Sequence, residues 1–431
     1  MKQSRFKIFS DPVHGFISVP KNLLLDLIET PEVQRLRRIR QLGLGHLVFP
    51  GAEHTRFNHA LGAMALMQEA LANLSEKGTP ISTEEHLAAC AAALLHDIGH
   101  GPFSHTLEHQ LIEGFTHEAM SRVLLLRLNE RFNGALDLTI QIFDDVYARP
   151  FFHQLVSSQL DMDRLDYLRR DSFYTGVVEG KVGVERIIKT LRVHPIEGGP
   201  DSRIVIESKG IYAVENFLIA RRLMYWQVYL HKTVLAADAL LRAIIRRARI
   251  LIQVGDAQTA ASCAPALCFF LERPLKAPEA FTSNEVIENF CQLDDVDVLY
   301  SIKQWSRARD AILADLSRRF LHRQFFRTTF LPEAPSPAQL AQWRQRVAQW
   351  LVQQGIVPYA QAEEAATYYL TADASQHTAY EPVSDPIPVL DRNDQIRELS
   401  RTADAPAIDA IARFVIKPYL CLPKELPLEL P

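Results

Sequence analysis

The sequence predicts a mainly α-helical fold with small β additions. Apolar residues recur at helical spacing through most of the chain, whereas runs with strand character are short and confined to residues 5–20, 192–209 and 373–431. With 431 residues, of which 48% are hydrophobic, the chain can bury a sizeable core. The net charge of −4 creates no field that would recruit nucleic acid or a membrane surface, so any anion-binding site must be local.

Composition also limits the redox chemistry and the location of the protein. The five cysteines are scattered and form no Cys-x-x-Cys motif, which argues against a disulfide framework or a thiolate zinc site. The first residues lack the apolar segment of a signal peptide, and no run of about 18 apolar residues could span a membrane. We therefore expect a soluble, cytoplasmic protein without a membrane partner.

Residues 1–255 form the first of two predicted regions. It begins with two short strands in residues 5–20, around a turn marked by Asp11-Pro12 and Gly15. The spacing of apolar residues and the start signals predict helices over 21–29, 32–41, 58–74, 83–96, 117–129, 153–169 and 184–192. Gly198-Gly199-Pro200 divides two β-like runs and predicts a hairpin over 192–209, after which helices resume over 211–248.

Residues 256–431 form the second predicted region, in which the periodic signals are weaker. Pro265, Pro274 and Pro278 indicate a loose connection. Helices are predicted over 284–291, 298–321 and 337–354, and the tail 373–431 mixes turns, short strands and one helix near Ala407. We expect this helical and mixed region to pack on the first.

The most informative motif is the segment 94–105. The adjacent pair His96-Asp97 closes an apolar, alanine-rich stretch, and His100 and His105 follow at short spacing. A lone histidine is more often structural than a ligand, but nine of the fifteen histidines lie between His46 and His117, which favours a ligand cluster. Imidazole and carboxylate together suit zinc, iron, manganese or nickel better than calcium.

Residues 161–171 carry a second arrangement of polar side chains. On a helix, Asp163, Tyr167 and Arg170 would project from one face. An acid, a phenol and a cation on one face can hold a metal, a sugar and a phosphate. The alternative interpretation of this segment is a solvated helix with internal salt bridges.

The order His59, His96-Asp97 and Asp163 resembles the signature of the HD-domain phosphohydrolases. Longer runs make the resemblance more specific to the deoxynucleoside triphosphate (dNTP) triphosphohydrolases, in particular the animal enzymes that join a sterile-alpha-motif domain to an HD domain. The runs are Asp11-Pro12-Val13-His14-Gly15, Thr30-Pro31-Glu32-Val33-Gln34-Arg35-Leu36, Phe49-Pro50-Gly51-Ala52, Arg56-Phe57-Asn58-His59, His96 to His105, Thr116-His117-Glu118 and Asp161 to Tyr167. The resemblance covers residues 5–250, implies an HD-domain helical core, and includes no sterile-alpha-motif domain before it.

The resemblance implies a metal site and a catalytic group. One divalent transition metal ion, with iron, manganese, zinc and nickel left open, would be bound by His59, His96, Asp97 and Asp163. The resemblance also allows Mg²⁺ bound with the nucleotide. The catalytic group comprises His100, His105, Glu108, His117 and Glu118. In it, His105, oriented by Glu108, would protonate the leaving sugar oxygen, while the others would bind phosphate oxygens and tune the attacking water.

Substrate contacts follow from the same resemblance. The matching positions are Gln41, Leu42, Arg56, Arg164, Tyr167, Asp171, Arg221 and Tyr229. The arginines match phosphate-binding positions, and Arg164 stands where the animal enzymes have a lysine. A tyrosine stacked under the deoxyribose would leave no space for a 2′-hydroxyl. The alternative for Arg221 and Tyr229 is an amphipathic core helix.

A further set matches positions that bind an activating nucleotide between subunits. It comprises Lys7, Gln34, Arg37, Arg186 and Lys209. Glu29 replaces an aspartate and Ser10 an asparagine of that family site, which leaves the identity of any effector open. The resemblance implies a homo-oligomer, either a dimer or a tetramer. The alternative is ordinary surface charge near a subunit interface.

Three functions are compatible with these residues. The first is a metal-dependent dNTP triphosphohydrolase, in which metal-activated water attacks the α-phosphorus to release deoxynucleoside and triphosphate. The second is another HD phosphohydrolase, acting on a nucleoside monophosphate, an alarmone or single-stranded nucleic acid. The third is a nucleotide sensor without catalysis, against which the intact ligand set argues.

Overall fold

The computed structural model of the 431-residue chain describes residues 5–195, 202–402, 412 and 414–426, without the side chains of His105 and His377. Helices dominate these residues, as predicted. Strands occur in the three segments that the sequence indicated and in one that it did not, Arg327–Phe330. The predicted helix near Ala407 lies outside the described residues. No helix within the described ranges is both long and apolar enough to cross a membrane.

Twelve α-helices lie in the described part of residues 1–255. They are α1 (Leu23–Ile28), α2 (Pro31–Arg35), α3 (Arg56–Glu76), α4 (Thr83–Leu95), α5 (Glu108–Leu111), α6 (His117–Arg131), α7 (Asp137–Phe143), α8 (Phe151–Val156), α9 (Met162–Thr175), α10 (Val184–Thr190), α11 (Ile211–Met224) and α12 (Lys232–Gln253). A π-helical turn, Tyr225–Tyr229, follows α11. Such turns often occur at functional sites.

Eight further helices lie in the described part of residues 256–431. They are α13 (Ala257–Ala261), α14 (Pro265–Glu272), α15 (Ala277–Ala280), α16 (Asn284–Gln292), α17 (Asp295–Trp305), α18 (Ala311–Leu321), α19 (Pro337–Gln353) and α20 (Ala362–Tyr369). The loose connection predicted near residue 265 is therefore wrong. Pro265 and Pro278 stand in the first turns of α14 and α15, where proline favours helix initiation.

The described strands form three small sheets. Their members are β1 (Phe6–Asp11), β2 (Gly15–Pro20), β3 (Leu191–Pro195), β4 (Ser202–Glu207), β5 (Arg327–Phe330), β6 (Thr371–His377), β7 (Pro388–Leu390), β8 (Ile396–Glu398) and β9 (Val415–Leu422). The hairpin β1–β2 stands alone, with Phe6 opposite Pro20. The other sheets have the orders β3-β4-β7-β8 and β5-β9-β6. The paired strands of both predicted hairpins are thus present, and the turn predicted at Gly198-Gly199-Pro200 lies outside the described residues.

Two predicted helices are each broken into two. The segment 153–169 contains the end of α8 and most of α9, because Asp161 caps α9 by accepting a hydrogen bond from Arg164 N at 2.6 Å. The segment 298–321 contains α17 and α18, because Asp310 caps α18 by accepting from Leu313 N at 2.7 Å. In both cases a short acidic side chain binds the backbone and starts a new helix.

The packing of three helices creates the meeting point for the functional side chains. Helix α3 packs against α4 and α9. Alanines 88, 89 and 91–93 of α4 are buried, and their small side chains permit close approach. A Cβ atom at Gly62 of α3 would lie 1.9 Å from Asp166 Oδ1, so only glycine lets α9 approach there. The first turns of α3 and α9 therefore meet the end of α4.

The second half of the chain packs on α12. Helices α14, α18 and α20 and strand β5 all contact α12. Buried side chains from both halves belong to one hydrophobic cluster, which extends from Ile17 to Leu426. The predicted domain boundary after residue 255 falls just beyond the end of α12, and the division itself stays a prediction.

Candidate active site

Four predicted metal ligands converge where α3, α4 and α9 meet. His59 lies in the first turn of α3, His96 caps the end of α4 with Asp97 after it, and Asp163 lies in the first turn of α9. His59 Nε2 lies 3.0 Å from Asp163 Oδ1 and 3.3 Å from His96 Nε2. Asp97 lies within 3.8 Å of both imidazoles.

The ring orientations fit a cation at this point. His96 Nδ1 donates to the carbonyl of Ala93 at 2.7 Å, and His59 Nδ1 donates to Asp166 Oδ2 at 2.7 Å. In a neutral imidazole this leaves the Nε2 lone pair for a ligand, as metal-binding histidines require. Two such lone pairs only 3.3 Å apart repel each other unless a positive charge lies between them. The donor set therefore fits a divalent transition metal.

Behind the metal ligands lies Asp166, an ionised carboxylate that the sequence motif did not reveal. It accepts hydrogen bonds from His59, from His14 Nε2 at 2.6 Å and from Arg170 Nε at 2.8 Å. Burial alone would lower the pKa of His59, but the carboxylates of Asp163 and Asp166 raise it to about 10. This environment favours a positive charge at the imidazole cluster.

Arg170, which the sequence grouped on one face with Asp163 and Tyr167, does not line the cavity that those two residues line. Its guanidinium is fully buried and pairs with Asp166 and with Asp11, whose Oδ2 lies 2.8 Å from Nη1. Asp163 and Arg170 lie on the same side of α9 but about 10 Å apart along its axis, so Arg170 reaches Asp166 and Asp11 and does not line the cavity. Arg170 therefore stabilises the carboxylate that holds His59.

Arg56 connects the metal cluster to the loop after α4. Its Nη1 contacts Asp97 Oδ2, and its Nε and Nη2 donate to Ser104 Oγ at 3.0 and 2.8 Å. Arg56 is buried at the wall of a cavity. A buried arginine beside a metal-binding carboxylate is suited to hold a phosphate oxygen next to the metal.

A second histidine group continues from Asp97. His100 Nε2 lies 3.4 Å from Asp97 Oδ1, and its ring stacks on that of His117 with 3.8 Å between centroids. Burial and the nearby charge of Arg56 hold the pKa of His100 well below its usual range, so this ring is neutral at physiological pH. His117 Nε2 lies 3.3 Å from Glu118 Oε1, on the exposed side of the group.

Glu108 holds His117. Its Oε1 accepts from the backbone N and from the ring Nδ1 of His117, at 2.9 and 2.6 Å. The sequence assigned Glu108 to the orientation of His105. The side chain of His105 is outside the described residues, so its pairing with Glu108 and its role as the acid stay predictions.

A cavity of about 520 Å³ opens beside the metal cluster. Its volume lies in the range of small-molecule sites. Asp163 lines it together with all eight predicted substrate residues, Gln41, Leu42, Arg56, Arg164, Tyr167, Asp171, Arg221 and Tyr229. Nε of Arg221 and Oε1 of Gln41 are buried and have no hydrogen-bond partner among the described residues. Such orphaned donors and acceptors favour a polar ligand.

Asp171 organises one side of the cavity. Its Oδ2 accepts from the hydroxyl of Tyr229 at 2.8 Å, and its Oδ1 accepts from His54 Nε2 at 2.7 Å. The rings of Tyr167 and Tyr229 are packed edge to face at 6.2 Å. Aromatic faces next to a fixed carboxylate are typical of a sugar-binding surface, because they combine an apolar platform with a hydroxyl acceptor.

Several cavity residues were missed by the sequence analysis. Tyr225 lies in the π-helical turn, Asp238 and Arg242 lie on one face of α12, and Tyr419 lies on β9. Asp238 Oδ1 accepts from Thr106 Oγ1 at 2.6 Å. The spacing of Asp238 and Arg242 is the only local signal for them, and nothing local indicates that β9 reaches the cavity.

The five predicted effector residues form two groups within one chain. Lys7 Nζ binds Glu29 Oε1 at 2.9 Å, and Arg37 Nε donates to Gln34 Oε1 at 2.9 Å, while Gln34 itself donates to the carbonyl that precedes Glu29. In the other group, Arg186 Nη2 donates to the Lys209 carbonyl at 2.9 Å. Among the described residues no hydrogen bond joins the groups.

Comparisons with known proteins agree with this geometry. The profile of the HD domain matches residues 56–149, and that of the HD associated region matches residues 182–261. The uncharacterized protein YwfO of Bacillus subtilis is 36% identical over 93% of this chain and 88% of its own length. Human deoxynucleoside triphosphate triphosphohydrolase SAMHD1 is 30% identical over 55% of this chain and 44% of its own length.

A solved structure is similar over nearly the whole molecule. The crystal structure of a phosphohydrolase from Bacteroides thetaiotaomicron has a TM-score of 0.89 and 45% identity, and the match covers 97% of this chain and 99% of that one. The fold and the site thus define a metal-dependent phosphohydrolase with a helical core. The chain belongs to the HD-domain phosphohydrolases that carry an HD associated region after the HD domain.

Proposed function

We propose that this phosphohydrolase cleaves dNTPs to deoxynucleoside and inorganic triphosphate. The observation that carries the proposal is that Asp163 belongs both to the metal cluster and to the wall of a cavity that also bears four arginines and a tyrosine–carboxylate surface. A triphosphate and a sugar would meet complementary groups on these walls. The name of the human relative, a deoxynucleoside triphosphate triphosphohydrolase, supports the same substrate class.

Each part of the cavity then has a role at the α-phosphate. His59, His96, Asp97 and Asp163 would hold a divalent metal ion, which supplies an activated water and neutralises phosphate charge when bound. Arg56 binds a phosphate oxygen from beside Asp97. Neutral His100, stacked on His117, contributes a hydrogen-bonding ring beside the attacked phosphorus. Glu108 fixes the orientation of His117, and His105 protonates the leaving 5′-oxygen.

The sugar side of the cavity explains a preference for deoxynucleotides. Tyr167 would pack under the sugar and exclude a 2′-hydroxyl, while Asp171 would accept a hydrogen bond from the 3′-hydroxyl. His54 and Tyr229 hold the Asp171 carboxylate in one orientation. A carboxylate held in this way discriminates against a substrate that lacks the hydroxyl, because its acceptor is then left unpaired.

The product distinguishes this function from those of other HD phosphohydrolases. We expect dGTP with Mn²⁺, Fe²⁺ or Zn²⁺ to yield deoxyguanosine and triphosphate in equal amounts, since the attacked phosphorus is the α-phosphorus. Anion-exchange chromatography of the phosphates measures this directly. A nucleoside monophosphate, an alarmone and single-stranded DNA serve as comparison substrates. Mainly orthophosphate or pyrophosphate from dGTP would contradict the proposal.

We also propose that the two effector groups face each other across a homo-oligomer and bind a nucleotide there. In one chain Lys7 is paired with Glu29, so an anionic effector would have to draw Lys7 away from that carboxylate. A ligand held between subunits stabilises the assembly by mass action. Activation and assembly would therefore be linked.

Sedimentation and activity measured together test this regulation. We expect GTP or a dNTP to shift the protein towards a dimer or tetramer and to raise its activity in parallel. The variant Arg37→Ala should reduce both responses, whereas Lys21→Ala, which removes an exposed lysine outside the two groups, should reduce neither. A fully active monomer with hyperbolic kinetics under all these conditions would refute the effector site.

A further inference from the structure

A short segment at the beginning of α17, Leu293–Asp295, contacts the active-site loop from the second half of the chain. The buried guanidinium of Arg35 donates to the carbonyl of Leu293 at 3.0 Å and to the carbonyls of Ile98 and His100 at 2.9 Å. Asp295 is 1% exposed, and its two carboxylate oxygens bind two different segments.

The first segment that Asp295 holds is a strained turn. Phe103 and Ser104 have φ angles of 51° and 47°, a left-handed conformation that side chains with a Cβ atom rarely adopt. Asp295 Oδ1 accepts from Phe103 N at 2.8 Å. This bond fixes the turn, and the turn presents Ser104 Oγ to the guanidinium of Arg56. Strain of this kind persists only where the surroundings enforce it.

The second segment lies beside the backbone of Arg56. Asp295 Oδ2 accepts from Arg40 N at 3.0 Å, and Arg40 forms a β-bridge with Thr55. Next to this bridge, Arg56 N donates to the carbonyl of Ile39 at 2.9 Å. One carboxylate thus holds both the segment that places the Arg56 backbone and the turn that orients its side chain.

We propose that Asp295 is a positioning residue that aims Arg56 at the phosphate, so that residues beyond 255 complete the active site. This inference rests on the proposed function through the phosphate contact of Arg56. Arg40 Nη1 approaches Asp295 to 3.7 Å, and the neighbouring Asp294 is paired with Arg38. Burial raises the pKa of Asp295 to about 6, so the carboxylate is ionised and accepts both backbone hydrogens near pH 8.

The variant Asp295→Asn tests this role. An amide of the same size has one acceptor oxygen, and its NH₂ group would face a backbone N–H. Asp294→Asn is the matched control, because Asp294 caps the same helix by accepting from Val296 N at 2.9 Å and has no hydrogen bond to Phe103 or to Arg40 among the described residues. Both variants are made in the wild-type chain and together with Arg56→Lys.

Two readouts are measured on manganese-loaded protein: kcat/KM for dGTP and the Kd for inorganic triphosphate. We expect Asp295→Asn to lower kcat/KM and to raise the Kd, each about 10- to 100-fold, which is the usual effect of losing an outer-shell partner. In the Arg56→Lys background the same change should cost less than about 3-fold, because residues that act through one another are non-additive. Asp294→Asn should show no such coupling to Arg56.

Equal losses in both backgrounds, or no loss in either, would overturn the proposal. If Asp295→Asn does not fold, Ser104→Ala removes the hydroxyl through which the turn contacts Arg56. This variant should show the same non-additivity with Arg56→Lys. If the wild type fails to hydrolyse dGTP, the proposed function fails, and triphosphate affinity alone decides the role of Asp295. A wild type that binds no triphosphate would overturn the positioning role as well.

Discussion

Replacement of His96 or Asp97 by alanine is expected to abolish metal binding and to lower activity by more than about 10²-fold. Loss of an outer-shell partner alone costs a metal site about 10- to 100-fold, so loss of a direct ligand should cost more. His96 Nε2 lies within 3.6 Å of His59 Nε2 and Asp163 Oδ1, so its loss removes one of the three donor atoms that these residues hold within reach of one ion.

The same variants should remain folded. The side chains of His96 and Asp97 are each 11% exposed and do not belong to the hydrophobic cluster. Metal content by mass spectrometry, thermal unfolding and product release are the measurements, and His109→Ala, an exposed histidine on α5, is the control. A folded His96→Ala, Asp97→Ala double variant with full metal occupancy would disprove the metal assignment.

Replacement of Asp166 by asparagine is expected to reduce both stability and metal affinity. Asp166 and Arg170 are fully buried, and removal of one partner of a buried ion pair costs about 3–5 kcal/mol. The change also removes the carboxylate that orients His59, for which we expect an affinity loss of about 10- to 100-fold. Both effects have one cause, the loss of the negative charge that Asp166 places between Arg170 and the imidazoles of His14 and His59.

Urea unfolding of the metal-free protein measures the stability term, and competition with a chelator measures the affinity. Asp26→Asn, at an exposed position on α1, should change the free energy of unfolding by less than about 0.5 kcal/mol. An Asp166→Asn protein as stable as the wild type, with unchanged metal affinity, would show that Asp166 does not hold His59 in its binding orientation.

Local sequence signals predicted the helical class and the His96-Asp97 part of the metal cluster, whereas the resemblance to the HD-domain phosphohydrolases implied His59 and Asp163. The alanine-rich stretch before His96-Asp97 predicted a buried helix with its ligands at the end, and α4 ends at Leu95. The breaks before α9 and α18 were missed, although Asp161 and Asp310 were visible as capping residues. Apolar periodicity alone continues through a break when the two helices bury the same side.

The polar groups behind the site could not be predicted in this way. Asp166 and Arg170 had the pattern of a solvated helical salt bridge, which a buried ion pair at spacing i, i+4 shares. Only the packing of α9 against α3, at Gly62, shows that this pair is buried and faces His59. Because this ion pair is buried, it supports a metal ligand, whereas the same pair on the surface would only contribute to solubility.

The sequence by itself determined the helical class and the buried helix that ends at His96-Asp97, because these depend on neighbours a few residues apart, and the resemblance added the distant ligands His59 and Asp163. Tertiary structure decided which distant side chains complete the site. Arg35 binds Leu293, 258 residues away, and Asp295 binds Phe103, 192 residues away. Such pairs leave no local pattern, because each member is simply a polar residue in the sequence. Its partner is fixed only when packing removes it from water and leaves one polar group within reach.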